Sequence, residues 1–137
     1  PESTSLPRQP PATRVTTYPA FPMDTPSAGK FLQISCAGIP WLLFATPDTC
    51  RFHNRMLSRF LDDAAIPYRW TSPDTLDVAD GRIKVIGGGR FRLDPLGQHL
   101  ELWDDSHAYG RFDASLVADQ LASAGAPWDG LHLQIRR

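Results

Sequence analysis

Apolar and polar positions along this chain change period several times, and each change marks an element. Phe31-Leu32-Gln33-Ile34-Ser35-Cys36 reads as a strand, and Ala37-Gly38-Ile39-Pro40 as a turn or loop. Trp41-Leu42-Leu43-Phe44-Ala45 is apolar without interruption, the pattern of a strand buried on both faces. From Pro47 the period lengthens. Phe52, Met56, Phe60 and Ala64 recur near helical spacing, and Leu57 and Leu61 widen the stripe. Arg51, Arg55, Arg59, Asp62 and Asp63 take the wet side. Pro47-Asp48-Thr49 supplies a helix start, with Asp48 or Thr49 as cap, and Pro67 closes the helix. Tyr68 to Trp70 fits a short strand, and Thr71 to Gly81 a polar loop. Arg82-Ile83-Lys84-Val85-Ile86 alternates and runs into Gly87-Gly88-Gly89. Arg90 to Leu93 and Gln98 to Trp103 flank Asp94-Pro95-Leu96-Gly97, a strong hairpin signal. Asp113 caps a second helix through Ala124, whose stripe is Leu116, Val117, Leu121 and Ala124 and whose stop is Gly125. Leu131 to Ile135 alternates as a final strand.

The order β-β-α-β-β-β-β-α-β predicts an α/β (α+β) fold. It is one domain, a mixed sheet of about six strands with two helices packed on it. Seven of the thirteen prolines lie in the first 28 residues. That segment cannot be helical and shows no apolar alternation, so 1–28 reads as an extended, Pro-rich arm and 29–137 as the domain.

Composition narrows the function classes. The chain has 137 residues, enough for one domain with a real core, and 42% of them are hydrophobic. Net charge is −1 with no basic run, which gives a nucleic-acid role no electrostatic support. No apolar stretch approaches the length of a membrane span. The two cysteines, Cys36 and Cys50, fit neither a disulfide framework nor a zinc motif, and a reducing intracellular compartment is expected. No His/Cys/Asp/Glu spacing makes a metal site, and no cofactor is expected. Pro1 to Lys30 carries Arg8 and Arg14, many Ser and Thr, and few acids. This is the composition of the tail of an organellar transit peptide, and equally of any polar leader, so cytoplasm and mitochondrion both remain open.

The candidate chemistry lies in three places. Gly87-Gly88-Gly89 precedes Arg90 where a strand is expected to give way to a turn, and successive amides there could form an anion nest. Ser106-His107-Ala108-Tyr109-Gly110 puts a hydroxyl and small residues at a second turn. His53 stands upstream on the edge of the first helix. A basic side chain, a nest, a hydroxyl and a histidine together suit a phosphoryl group.

The Gly87-Gly88-Gly89-Arg90 and Ser106-His107-Ala108-Tyr109-Gly110 segments, with the hairpin between them and the helix after them, resemble the phosphohistidine phosphatase (Janus/Ocnus) family. Gly29-Lys30-Phe31 resembles that family's first strand, and Phe52-His53 falls where the family has an aromatic residue before its catalytic histidine. The likeness covers roughly Gly29 to the C-terminus, interrupted between His53 and Gly87, where this chain is longer. It implies metal-independent hydrolysis of phosphohistidine in proteins or peptides. It makes His53 the general base, Arg90 a phosphate-side cation, and Ser106, His107 and Ala108 contacts of the phosphoryl oxygens. Gly87, Gly88, Gly89 and Gly110 become structural glycines.

Two positions depart from the family pattern. Leu32 stands where the family has a lysine, and Ala45 where it has an arginine. Lys30 shares a strand face with position 32 and is the replacement, whereas Arg51 matches the arginine position poorly. Fewer cations weaken phosphate affinity. A second expectation is therefore an inactive member that serves as a structural subunit of a large, mitochondrial or other, assembly, with residues 1–28 docked on partner chains. A third is a phosphopeptide-binding module without turnover.

Overall fold

The computed structural model describes residues 11–18, 25–50 and 52–136. The strands are β1 (Arg14–Tyr18), β2 (Ser27–Cys36), β3 (Ile39–Ala45), β4 (Arg69–Ser72), β5 (Thr75–Asp77), β6 (Ile83–Asp94), β7 (His99–Trp103) and β8 (His132–Ile135). The helices are α1 (His53–Asp63) and α2 (Ala114–Ser123), and a 3₁₀ turn spans Trp128–Gly130. Six strands form one mixed sheet in the order β1-β3-β2-β6-β7-β8, and β4 and β5 form a separate hairpin. The outer pairs β1–β3 and β7–β8 are parallel, and the inner pairs are antiparallel. The expected α+β domain, a mixed six-stranded sheet with two helices, is the architecture found.

Strand alternation places one helix on each face. Leu32 and Ile34 of β2 and Leu43 and Ala45 of β3 pack with Met56, Leu57, Phe60 and Leu61 of α1. Phe31, Leu42, Phe44, Phe91, Leu93, Leu100 and Leu102 point the other way and pack with Val117 and Leu121 of α2. Both faces of β2 and β3 are therefore core, which explains their unbroken apolar runs.

Several boundaries differ from the sequence reading. Arg14–Tyr18 is a strand paired with β3, so the folded unit begins before Gly29. Val15 packs on the α2 face and Tyr18 on the α1 face. Expectations for residues 1–10 and 19–24 lie outside the described residues, as does Arg51. Helix α1 starts at His53 rather than near Pro47. Thr46 accepts from the amides of Thr49 and Cys50, which spends the expected capping segment on a separate turn. Phe52 then takes the N-cap position in extended conformation without a side-chain cap. The expected loop 71–81 contains most of the β4–β5 hairpin. The glycine run lies inside β6, not at its end, and pairs with Phe31, Leu32 and Gln33 of β2. It is therefore not a nest at a turn.

Helix α2 is tied to the sheet by one buried amide. Gln33 is wholly buried. Its Oε1 accepts from the Asp113 amide at 2.7 Å, and its Nε2 donates to Gln120 Oε1 at 2.6 Å. Asp113 in turn caps α2 by accepting from the amides of Ser115 and Leu116. Gln33→Leu keeps the volume and removes the partners, which leaves buried polar groups unpaired at about 1–3 kcal/mol each. The urea midpoint of Gln33→Leu is expected to fall well below wild type with an unchanged slope. An equal midpoint would show that this clamp does not hold α2.

Candidate functional site

The site is assembled around a stretch of β6 that has no side chains. A register shift between Gln33 and Ile34 sets Val85 opposite Ile34 and Gly87 opposite Gln33, leaving Ile86 as the extra residue. Val85 packs on the α1 face, and the shift puts Gly88 on that same face. A Cβ at Gly88 would stand 2.8 Å from Cδ2 and 2.9 Å from Nε2 of His53. Gly88 therefore leaves the space in which the imidazole lies against the sheet. On the opposite side, a Cβ at Gly87 would collide with the backbone of Arg111 at 2.0 Å. That close approach lets the segment after Gly110 run beside β6, where the Gly88 amide donates to the Gly110 carbonyl at 3.1 Å.

His53 is 5% exposed, and its Nε2 lies 3.0 Å from the Gly89 carbonyl oxygen. A carbonyl only accepts, so Nε2 carries the proton and Nδ1 keeps the lone pair in the neutral ring. Burial pushes the His53 pKa below its ordinary 6.5, and the positive charge of Lys30 adds to this. Backbone bonds to Gly89 and Phe31 and the Asp104 carboxylate act in the opposite direction without reversing the shift. His53 is thus neutral at pH 7 and able to take a proton.

A cleft of about 600 Å³ opens beside His53. It is lined by Lys30, Arg90, Ser106, His107 and Ala108, so the structure brings every residue singled out for catalysis or substrate binding to one place. Lys30 and Arg90 are register partners on β2 and β6, and Lys30 Nζ lies 5.3 Å from the centre of the Phe52 ring. Leu32, on the same face as Lys30, is wholly buried in the core, and Ala45 is buried as well. The Ser106–Gly110 loop is closed by reciprocal backbone bonds between Ser106 and Gly110, of 2.9 and 2.8 Å, with Gly110 at φ 80°. Ser106 is 3% exposed, and its Oγ accepts from the Tyr109 amide. Its hydroxyl oxygen therefore first serves the loop. Among the described residues, the amides of His107 and Ala108 at the exposed tip have no partner within the chain.

The sequence reading missed the other half of the wall. Asn54 and Arg55 follow His53 on the uncapped first turn of α1, which carries no acidic residue, so helix amides end at the cleft. Asp74, Asp104 and Asp105 also line it. Asp104 and Asp105 directly precede Ser106, so the same turn brings all three to the cleft. Asp104, at φ 72°, pairs with Arg90 (Nε to Oδ2, 3.1 Å). Both side chains of this pair are more than 40% exposed, so the pair is weak and an anionic ligand can redirect Arg90. The adjacency of Asn54 and Arg55 to His53 was a usable signal, whereas nothing in the sequence brought Asp74 to this place. No protein-family model matches the chain, and no curated protein matches it.

The Gly88 contact is testable. Gly88→Ala is expected to lower stability by about 1–3 kcal/mol through overpacking against His53 and the Phe31 carbonyl. It is also expected to lift the imidazole off its seat. An NMR pH titration then places the His53 pKa closer to 6.5 than in wild type. A folded variant with an unchanged titration would show that Gly88 does not seat the ring.

Proposed function

We propose that this cleft hydrolyses the P–N bond of phosphohistidine in a protein or peptide. The reading rests on one observation above the others. His53 is neutral, fixed in one tautomer by the Gly89 carbonyl, and set at the wall of a cleft that also holds Lys30, Arg90 and the Ser106–Ala108 loop. Phosphoryl transfer needs positioning and charge stabilisation more than covalent help from the protein. Lys30, Arg90 and the loop amides bear on the phosphoryl oxygens. His53 Nδ1 takes a proton from water as the water oxygen bonds to phosphorus. The electron pair of the breaking P–N bond returns to the substrate imidazole, which takes a proton from solvent. His53 then releases its own proton to solvent, so the products are histidine and inorganic phosphate.

A second reading, phosphopeptide binding without turnover, draws on the charges of the cleft. Lys30 and Arg90 can hold a phosphoryl group, while Asp74, Asp104 and Asp105 in the same cleft oppose the charge stabilisation that turnover requires.

Phosphate release from a phosphohistidine peptide in the presence of EDTA separates these readings. Wild type is expected to release phosphate, and His53→Ala and the bulkier His53→Gln to lose about 100- to 10,000-fold in kcat. Wild type no faster than these variants sinks the hydrolytic reading, and retained peptide binding then favours the second. The pH profile has a defined sign. Because the folded pKa of His53 is lowered, the base is present at neutral pH and is lost only as pH falls below the ordinary histidine range. The acid limb of kcat/KM is expected below pH 6.5. Lys30→Met removes a charge that depresses this pKa, so its acid limb moves to higher pH and its KM rises. An acid limb that stays in place would detach Lys30 from His53.

A further inference from the structure

Half of the cleft is built from acceptors that a phosphoryl group does not use. The turn between β4 and β5 forms one side, and α1 pins it there. Asn54 Nδ2 donates to the Asp74 carbonyl at 2.8 Å, and Arg55 Nη2 donates to the Pro73 carbonyl at 3.3 Å. The Arg55 guanidinium also lies 4.2 Å from the centre of the Trp70 ring. The guanidinium, still part of the cleft wall, is thus held against the hairpin by a cation–π contact and a backbone bond. This arrangement delivers Asp74 to the cleft as a fixed wall residue.

The acceptors there are unmatched. Among the described residues, the carboxylates of Asp74 and Asp105 have no ion-pair partner, whereas Asp104 is held by Arg90. Asn54 is 8% exposed, and its Oδ1 has no hydrogen-bond partner. A buried acceptor left without a donor is destabilising, so an N–H that reaches it is rewarded. Among the described residues no group of three or more His, Cys, Asp or Glu side chains could hold a metal ion. An organic cation with N–H donors fits both the charge of the carboxylates and the amide oxygen.

We infer that the substrate carries a lysine or arginine side chain beside the phosphorylated histidine, held by Asn54, Asp74 and Asp105. The inference rests on the phosphohistidine reading of the same cleft. The phosphoryl group lies with Lys30, Arg90 and the Ser106–Ala108 loop, and the cationic side chain with the hairpin turn. A ligand with both charges suits a cleft whose own charges balance, whereas free phosphate suits it poorly. The β4–β5 hairpin is then a specificity element.

Matched phosphohistidine peptides with Lys, Gln or Glu on either side of the histidine test this. Two readouts are needed: kcat/KM for phosphate release by wild type, and binding to His53→Gln by fluorescence anisotropy. The Lys peptide is expected to lead the Glu peptide about tenfold in each, and the ratio to fall to about twofold in Asp74→Asn/Asp105→Asn. Equal binding of the three peptides, or a lead for Glu, overturns the inference, whatever the turnover. Phosphate release at equal rates from all three overturns it while the hydrolytic reading stands. A Lys preference in binding that collapses in the double variant, with no phosphate released from any peptide, supports the inference and removes hydrolysis.

Discussion

The site depends on three successive positions of a central strand having no side chain. Gly87 admits the Arg111 backbone on one face of β6, and Gly88 admits the His53 ring on the other. Gly89 lies against the Trp103 carbonyl and supplies the acceptor that orients the ring. Glycine inside a strand weakens it through backbone entropy and lost packing. Here the loss is offset by neighbours on both sides, since β6 is paired along its length with β2 and over its second half with β7. The β-bulge at Gln33/Ile34 is part of the same device, because it sets which glycine lies under the imidazole.

Electrostatics follow from that placement. Seating the ring against the sheet removes it from water, and desolvation then outweighs the two backbone bonds that favour its charged form. The same seat brings it within reach of Lys30 and Asp104, whose effects oppose each other. The cleft is therefore not a simple cationic bowl. Its cations are matched by carboxylates, and its selectivity must come from where each charge stands rather than from net potential.

What was legible in the sequence was short-range. The doubly buried β3, the Asp94-Pro95-Leu96-Gly97 hairpin and the Asp113 cap each follow from a local pattern with one physical meaning. The elements misread carry local signals that long-range contacts override. Glycines favour turns in isolation, yet 87–89 are glycines because other chain segments approach them across the sheet. Asp48 and Thr49 are good capping types, but the Thr46 carbonyl takes the following amides and the helix begins later. The strands Arg14–Tyr18 and Thr75–Asp77 are short and rich in polar residues, so no period reveals them, and of Arg69–Ser72 only the start was read, as Tyr68 to Trp70. The same division holds for the site. Lys30, His53, Arg90 and Ser106 could be picked out one by one, whereas Asp74 reaches the cleft only through a hairpin whose second strand no local pattern announced.

The distribution of broken local rules argues independently for where function lies. Helix α2 obeys them all: a capping aspartate with two amide bonds, and after the helix a glycine at φ 81°. Helix α1 starts without a cap, at the cleft. The unpartnered Asn54 oxygen and the left-handed Asp104 line the same cleft, and the interior glycines of β6 border it. Positive φ at Ala37, Ala65 and Gln98, and the unpartnered His99 Nε2, occur elsewhere, so no single irregularity identifies a site. What distinguishes the cleft is that three different kinds meet there: an uncapped helix start, an unpartnered amide oxygen and a left-handed residue. A cleft with an uncapped helix start, an unpartnered Asn54 oxygen and, among the described residues, no ion pair on Asp74 or Asp105 suits a ligand that brings both acceptors and donors.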